Sequence, residues 1–478
     1  MRMKNQITIL LLVSMLASLC ACGDSGAVTD TTAADSTDAA TTEAAYPLPD
    51  ADFGGEAFTI LNGNTATWMT TMVVTAEEEN GELVNDAIYK RNGKVEDRYN
   101  VEIVEVMTEA VRADVTNAVA SGDKSFDVAL MVSGDANGIT LEGGAVNFAT
   151  IPHVDVTSEW WVPGSVKDFS IGNQVYYAIS MFDTTHYDGV RSFFFNKALV
   201  EKYNLESPYQ LVKDGKWTLD KFLELGMAVA QDLNGDSKWS EEDQFGYTAY
   251  YNVGGQTLMT GVGVFPSLGK DENDMLEFNM NTEKNVEKLI RIATMVYNNE
   301  GFLNKKATGT NSGGLEVFKS GRALFYNEVV SVVGSLRDME DDFGIIPGPK
   351  YDEAQTEYYS LGGNPYFMLV PVCAPDLDKT GLMMEALAYE SVGIIDVAFY
   401  DTYLSTKTTR DEESSAMLDI IFGNLTYYHP VARSQVCGGV TNRLWQGKTD
   451  FASYFASNEE LINGMIEEAI AAYEANAK

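Results

Sequence analysis

The chain has 478 residues, with 33 Lys and Arg against 70 Asp and Glu, for a formal net charge of −37. A nucleic-acid binder must present a basic stripe that displaces condensed counterions, and a chain this acidic is repelled by phosphate backbones and anionic headgroups alike. Hydrophobic content of 45% and aromatic content of 11% belong to a folded chain, three histidines leave little for histidine catalysis, and four cysteines exclude a disulfide scaffold.

At the N-terminus Arg2 and Lys4 precede the apolar run Ile7 to Leu19, which leads into Leu19-Cys20-Ala21-Cys22-Gly23. Positive charge, a short apolar core and small residues before a cut describe a secretory signal over residues 1–21. The run is too short for a membrane span, which needs about 20 apolar residues. The segment resembles a bacterial lipoprotein signal, which implies cleavage before Cys22 and a diacylglycerol on its sulfur. Cys22 suits that role better than Cys20 because the small Ala21 precedes it; a plain cleaved signal is the alternative. Residues 24–45 are almost wholly Ala, Thr, Asp and Ser with no basic residue, so they bury too little apolar surface to fold and read as a tether. Such a 22-residue coil spans about 25 Å on average.

From Tyr46 the pattern is α/β. Ala57 to Leu61 reads as a strand and Val84 to Asn100 as a helix with the stripe Val84, Ile88, Val95 and Tyr99. Val101 to Val106 alternates as a strand, and Phe126 to Val132 reads as a buried one. Strands separated by helices predict βαβ units in a largely parallel sheet, with ligand facing the loops after the strands. Those loops carry Asn62, Asn64 and Trp68, and Ser133, Asp135 and Asn137. Helices are predicted over Thr218 to Leu233, Asn285 to Asn298, Arg410 to Phe422 and Glu459 to Glu474; the last shows one apolar face, suited to packing on the body.

Several stretches resemble the extracellular solute-binding proteins of bacterial ABC importers, family 1, which mostly handle sugars and oligosaccharides. They are Val84 to Asn92, Ser192 to Leu199, Lys216 to Phe222, Phe318 to Phe325, Phe343 to Lys350 and the run from Glu385 to Ile421. The resemblance implies two α/β lobes joined by crossing hinge strands and closing on ligand as a Venus flytrap. It divides the chain into one lobe of 46–178 and 323–372 and a second of 179–322 and 373–478. Hinge crossings are then expected near Tyr176 to Ser180, Ala323 to Asn327 and Met368 to Val372. It further implies a monomeric, lipid-anchored receptor on the outer face of the cell membrane that passes a carbohydrate to an ABC-importer permease.

Sugar sites combine aromatic platforms with Asp, Asn and Glu side chains, because sugars offer flat apolar ring faces and many hydroxyls. The candidates are Trp68, Asp135, Asp183, Tyr187, Asp188, Tyr250, Tyr251, Tyr326, Asn327, Glu328, Asn364 and Trp445, each with a core or surface role as the alternative. Trp160 and Trp161 read as packing. The segment Asp232 to Asp243 spaces oxygen side chains as an EF-hand calcium loop does: Asp232, Asn234, Asp236, Ser240 and Asp243, with the carbonyl of Lys238 at position seven. Ser237 replaces the usual Gly and Asp243 the usual Glu. Likeness to calcium-carrying sugar binders would make Glu241 a ligand, and a solvated acidic turn is the alternative.

No zinc-protease, serine-hydrolase or phosphate-loop motif is present, so the chain reads as a binder and not an enzyme. A lipid-anchored glycoside hydrolase, needing only two well-placed carboxylates, and a receptor for a non-sugar solute such as a peptide are the competing readings. Cys373 and Cys437 either pair or remain free thiols.

Overall fold

The computed structural model describes residues 46–63, 72–240, 242–250, 253–264, 268–309, 312–363, 365–395, 397–398 and 412–477. The signal, Cys22 and the tether lie outside them, as do Trp68, Tyr251, Glu241 and Asn364. In chain order the strands of the two main sheets are β1 (Glu56–Asn62), β2 (Val101–Met107), β3 (Val128–Met131), β4 (Tyr177–Ala178), β5 (Arg191–Asn196), β6 (Phe245–Ala249), β7 (Ala323–Val329), β8 (Phe343–Ile346) and β9 (Phe367–Leu369).

The first sheet has the order β2-β1-β3-β9-β4, parallel among β1, β2 and β3 and antiparallel where β9 joins. The second has the order β8-β5-β7-β6, in which β5 runs antiparallel to both neighbours and β6 parallel to β7. The predicted parallel pattern thus holds for the first three strands and for the β6–β7 pair, but not for the rest. A run such as Phe193-Phe194-Phe195, buried on both faces, looks the same in a parallel or an antiparallel sheet, so the sequence conceals strand direction.

Two further placements depart from the expected lobe division. β7 and β8, expected in the first lobe with a hinge crossing at Ala323 to Asn327, lie inside the second sheet, and β7 is hydrogen-bonded on both sides. The helix Leu377–Ser391, expected in the second lobe, packs on Leu83–Tyr99 of the first. Its Lys379 Nζ donates to Ala57 O at 2.9 Å and lies 3.7 Å from the Asp127 carboxylate. The chain passes from the first sheet to the second between Ala178 and Arg191 and returns between Ile346 and Phe367.

The predicted helix stripe buries Ile88, Val95 and Tyr99 as expected, and the helix stops at Asn100, whose left-handed φ of 47° ends it. Arg91 and Asn92, inside the first stretch that carries the family likeness, are also buried. The Arg91 guanidinium donates to Val74 O at 2.9 Å and lies 4.5 Å from the Phe182 ring, so it ties this helix to the first crossing. Burial pulls its pKa down to about 9.

Thr218 caps the next predicted helix through the Lys221 N–H, but the helix ends at Val229 because Gln231 and Gln244 pair to close the acidic loop. The helix expected over Asn285 to Asn298 becomes Glu283–Ile292 followed by a wider turn at Ala293–Tyr297. The C-terminal helix, Phe451–Asn476, starts earlier than expected and buries Phe451 and Phe455 with its first turns. It packs against Glu283–Ile292 near one end and Ser133–Leu141 near the other, where Asn476 Nδ2 donates to Thr140 O at 2.7 Å.

Trp160 and Trp161 pack as expected, around one carboxylate. Glu385 on Leu377–Ser391 accepts both indole N–H groups, at 2.6 and 2.7 Å, and the Asp155 N–H at 3.1 Å. Cys373 and Cys437 are buried free thiols, and burial pushes Cys437 up to about 12.

Candidate functional site

The two crossing segments are stitched together. Asp183 on the first accepts the Thr185 N–H and hydroxyl, both at 2.7 Å, and the Tyr366 N–H of the second at 3.0 Å. Burial raises its pKa to about 7 against the pull of those donors. A Cβ at Gly363 would meet Gly189 backbone at 2.4 Å, and one at Gly362 would meet the Tyr427 ring at 2.0 Å. Glycine at both positions is what lets the second crossing touch the first and the ring beside it. His186 Nδ1 donates to Asp183 O at 2.7 Å, its ring centroid lies 3.8 Å from that of Tyr187, and burial drops its pKa to about 4.

Beside this stitch lies a narrow cleft, with room for little more than a water molecule, that draws on both sheets and both crossings. Ser133 follows β3 of the first sheet and Phe367 belongs to β9; Arg191 opens β5 of the second, and Gln256 comes from the helix Val253–Gly261. Leu361, Gly362, Gly363 and Pro365 supply the second crossing, Phe169 a flanking helix, and Tyr427, Tyr428 and Arg433 the segment after the strand Leu425–Thr426. Phe169 and Phe367 meet edge to face, with centroids 4.6 Å apart. The backbone of Tyr427 is held by Asp168, which accepts its N–H at 2.8 Å and the Thr426 hydroxyl at 2.9 Å. Asp168 is itself buried, which lifts its pKa to about 6.

The sequence candidates divide by position. Asp183, Tyr187 and Asp188 sit on the first crossing, with the Tyr187 ring 4.5 Å from Phe422. Tyr326 and Asn327 are buried within β7: the Tyr326 ring stacks on Phe318, its hydroxyl donates to Glu328, and Asn327 Nδ2 donates to Ser192 O at 2.7 Å. Glu328 also faces Arg191, 3.8 Å away. Tyr250 and Trp445 come together in a second, smaller pocket with Tyr247, Tyr297 and Thr441. Asp135 lies apart from these, in a surface groove with Glu109, Arg112 and Glu142. Of the two loops singled out by strand topology, the first contributes Asn62, which is buried and donates to Met72 O and Glu105. The second contributes Ser133, on the cleft wall.

Arg191, Gln256, Tyr427, Tyr428 and Arg433 were not singled out from the sequence. A signal existed for Arg191, because it immediately precedes the Ser192 to Leu199 stretch; the others stand in runs that look like ordinary core.

In the acidic loop, Asp232 accepts the Gly235 and Ser237 N–H groups, Asn234 the Asp236 N–H and Asp236 the Lys238 N–H. Ser237, in place of the usual glycine, takes a left-handed φ of 59°. Asp243 is buried and both its oxygens accept backbone N–H groups, from Leu233 and Ser240. That carboxylate fastens the loop shut, while Asp232, Asn234 and Asp236 stay at the surface with lone pairs to spare.

The profile of the family described as bacterial extracellular solute-binding protein matches residues 75–372. No curated protein sequence matches the chain. Among solved structures, an ABC substrate-binding protein of Listeria monocytogenes in complex with cycloalternan superposes with a TM-score of 0.54 at 11% identity, covering 86% of this chain and 99% of that one. The GacH receptor of Streptomyces glaucescens, solved unliganded and with acarbose, gives 0.52 at 11% identity, with 86% and 99% covered. A family 1 extracellular solute-binding protein from Bifidobacterium longum subsp. infantis gives 0.52 at 14% identity, with 88% and 99% covered. At such identities the likeness is one of fold: two lobes facing each other across a cleft.

Proposed function

This chain belongs to the bacterial extracellular solute-binding proteins, and on that premise we propose that it captures a carbohydrate, an oligosaccharide in particular, in the cleft between its lobes and delivers it to the permease of an ABC importer. The observation that carries this reading is the lining of the cleft: the rings of Phe169, Phe367, Tyr427 and Tyr428, buried and partly packed on one another, beside the polar ends of Gln256, Ser133 and the arginines. Aromatic faces pack on sugar rings, and fixed donors and acceptors read the hydroxyls. The sugar-bound relatives of like fold support it.

Ligand favours closure only by binding the closed arrangement more tightly than the open one. The crossings around Asp183 and Gly363 are the segments about which such a motion turns. We read the body as a monomer that binds without cleaving, held to the outer face of the membrane by a diacylglycerol on Cys22 and the tether of 24–45; the signal-like N-terminus supports this. We also propose that the acidic loop takes calcium through Asp232, Asn234, Asp236 and the Lys238 carbonyl, with Ser240 and Glu241 completing the set and Asp243 closing the loop. The left-handed Ser237 supports it, since the EF-hand turn requires that conformation at the same position.

The test is calorimetric titration and thermal melting of the purified chain against a panel of oligosaccharides, with calcium or chelator, followed by analysis of the recovered sugar. A sugar at about 100 times its dissociation constant adds about 2.7 kcal/mol of stability. A shift with the sugar recovered intact is the expected result. Cleavage would return the hydrolase reading, and a response confined to peptides would move the cargo class. Calcium is expected to raise the melting temperature without sugar, and Asp232→Ala to abolish that rise.

A further inference from the structure

The charge of the cleft runs against the composition of the chain. Acids outnumber bases 70 to 33 overall, yet the residues lining the cleft include two arginines, Arg191 and Arg433, and no Asp or Glu. The two guanidiniums feel each other's charge. Such like-charge placement at a water-poor cleft is unfavourable unless something anionic enters between them.

Their existing partners leave capacity unused. Arg191 has one carboxylate near it, Glu328, at 3.8 Å, which is beyond hydrogen-bond reach, and its buried Nε has no partner. The Glu328 oxygens are already engaged by the Val329 N–H at 2.9 Å and the Tyr326 hydroxyl at 3.3 Å. Arg433, half-buried at the other side, makes no ion pair among the described residues. The phenols of Tyr428 and Tyr250, neutral near pH 7, also lie near Arg191. Glu328 is the carboxylate these contacts place beside Arg191, and both guanidiniums line the cleft with the aromatic rings.

Resting on the carbohydrate reading above, we propose that the cleft selects an acidic saccharide, a sugar whose ring carries a carboxylate, with Arg191 and Arg433 receiving that group while the aromatic residues take the ring faces. A carboxylate is planar and matches the two-pronged guanidinium better than a round or tetrahedral anion. Buried groups built to pair with a charge also reject the neutral analogue, because they would be left unpaired. A receptor built this way discriminates by charge among sugars of the same shape.

The experiment is titration calorimetry of the purified chain with trigalacturonic acid, its methyl ester, maltotriose, a sulfated neutral trisaccharide and citrate, each at low and high salt. The expected result is that the acid binds at least about tenfold tighter than its ester, a difference that shrinks with salt. Arg433→Gln is expected to erase most of that difference, and Arg433→Lys to restore part of it. Arg433 makes no ion pair among the described residues, so its variants should melt like the parent; melting curves check this. Binding of maltotriose or the ester as tight as that of the acid overturns the acidic-saccharide proposal while leaving the sugar-receptor reading intact. Binding of the sulfated sugar alone overturns the carboxylate assignment. Binding of citrate with no saccharide overturns both readings.

Discussion

Glu385 offers a test of how much a single buried carboxylate holds together. Removing it by Glu385→Ala deletes the acceptor for two indole N–H groups and one backbone N–H. Hydrogen bonds to a charged group contribute about 1.5–3 kcal/mol each, and a buried donor left unpaired costs about 1–3 kcal/mol. The Trp161 indole is buried at 1% exposure, so water cannot stand in for the carboxylate there. Burial already raises the Glu385 pKa, which shows a desolvation cost that the mutation relieves, so the sum is discounted to about 3–5 kcal/mol. Glu385→Gln keeps the volume and one good acceptor and is expected to cost about half as much. Glu390, on the same helix, is the control: its pair with Lys94 spans 3.2 Å, with the lysine 56% exposed, so Glu390→Ala is expected to cost less than about 1 kcal/mol. The assay is urea denaturation followed by tryptophan fluorescence and by circular dichroism, comparing midpoints at equal m-value. If Glu385→Ala lay within 1 kcal/mol of the parent, or cost no more than the Glu390 control, the reasoning would be refuted.

Two further expectations concern the crossings. Gly363→Ala forces a methyl against Gly189 backbone at 2.4 Å; it is expected to destabilise by about 1–3 kcal/mol and to weaken sugar binding, whereas Gly134→Ala, with open space around its Cβ, should do neither in the same melting and titration assays. His186, held neutral by burial with a pKa of about 4, binds its proton more readily in the unfolded chain, where the value is about 6.5. Its contribution to stability is therefore complete above pH 6.5 and falls away as pH drops toward 4. Urea midpoints measured from pH 7 to 4 should show His186→Asn losing less stability than the parent, by up to roughly 3 kcal/mol; parallel curves would remove the argument.

The first sheet was readable because its elements alternate in period: the stripe ending in Tyr99 and the strand that follows change from helical to extended spacing within two residues. β7 and β8 were harder to assign, because their membership depends on which distant strand accepts their hydrogen bonds. Nothing in Ala323 to Asn327 records that β5 lies on one side and β6 on the other. The place of the helix Leu377–Ser391 is hidden from the sequence for the same reason; its address is set by Lys379 meeting Ala57 and Asp127, residues far away in sequence. At the site, the sequence favours whatever looks polar or aromatic. Tyr326 and Asn327 fit that search, yet their polar atoms are turned toward Glu328 and Ser192. Tyr427 and Tyr428 stand in a Leu-Thr-Tyr-Tyr-His run that resembles a core strand; the backbone grip of Asp168 and the pairing of Leu425–Thr426 with Ser360–Leu361 bring it to the cleft wall.

The C-terminal helix Phe451–Asn476, touching Glu283–Ile292 on one lobe and Ser133–Leu141 on the other, spans the two. A stiff rod fastened at both ends cannot lengthen, so a swing of the lobes has to slide its apolar contacts or release Asn476 from Thr140. Its 26 residues correspond to about 39 Å of rigid rise, so any change in lobe separation has to be taken up at one grip or the other. Substitutions at those two grips would then change lobe motion from positions outside the cleft.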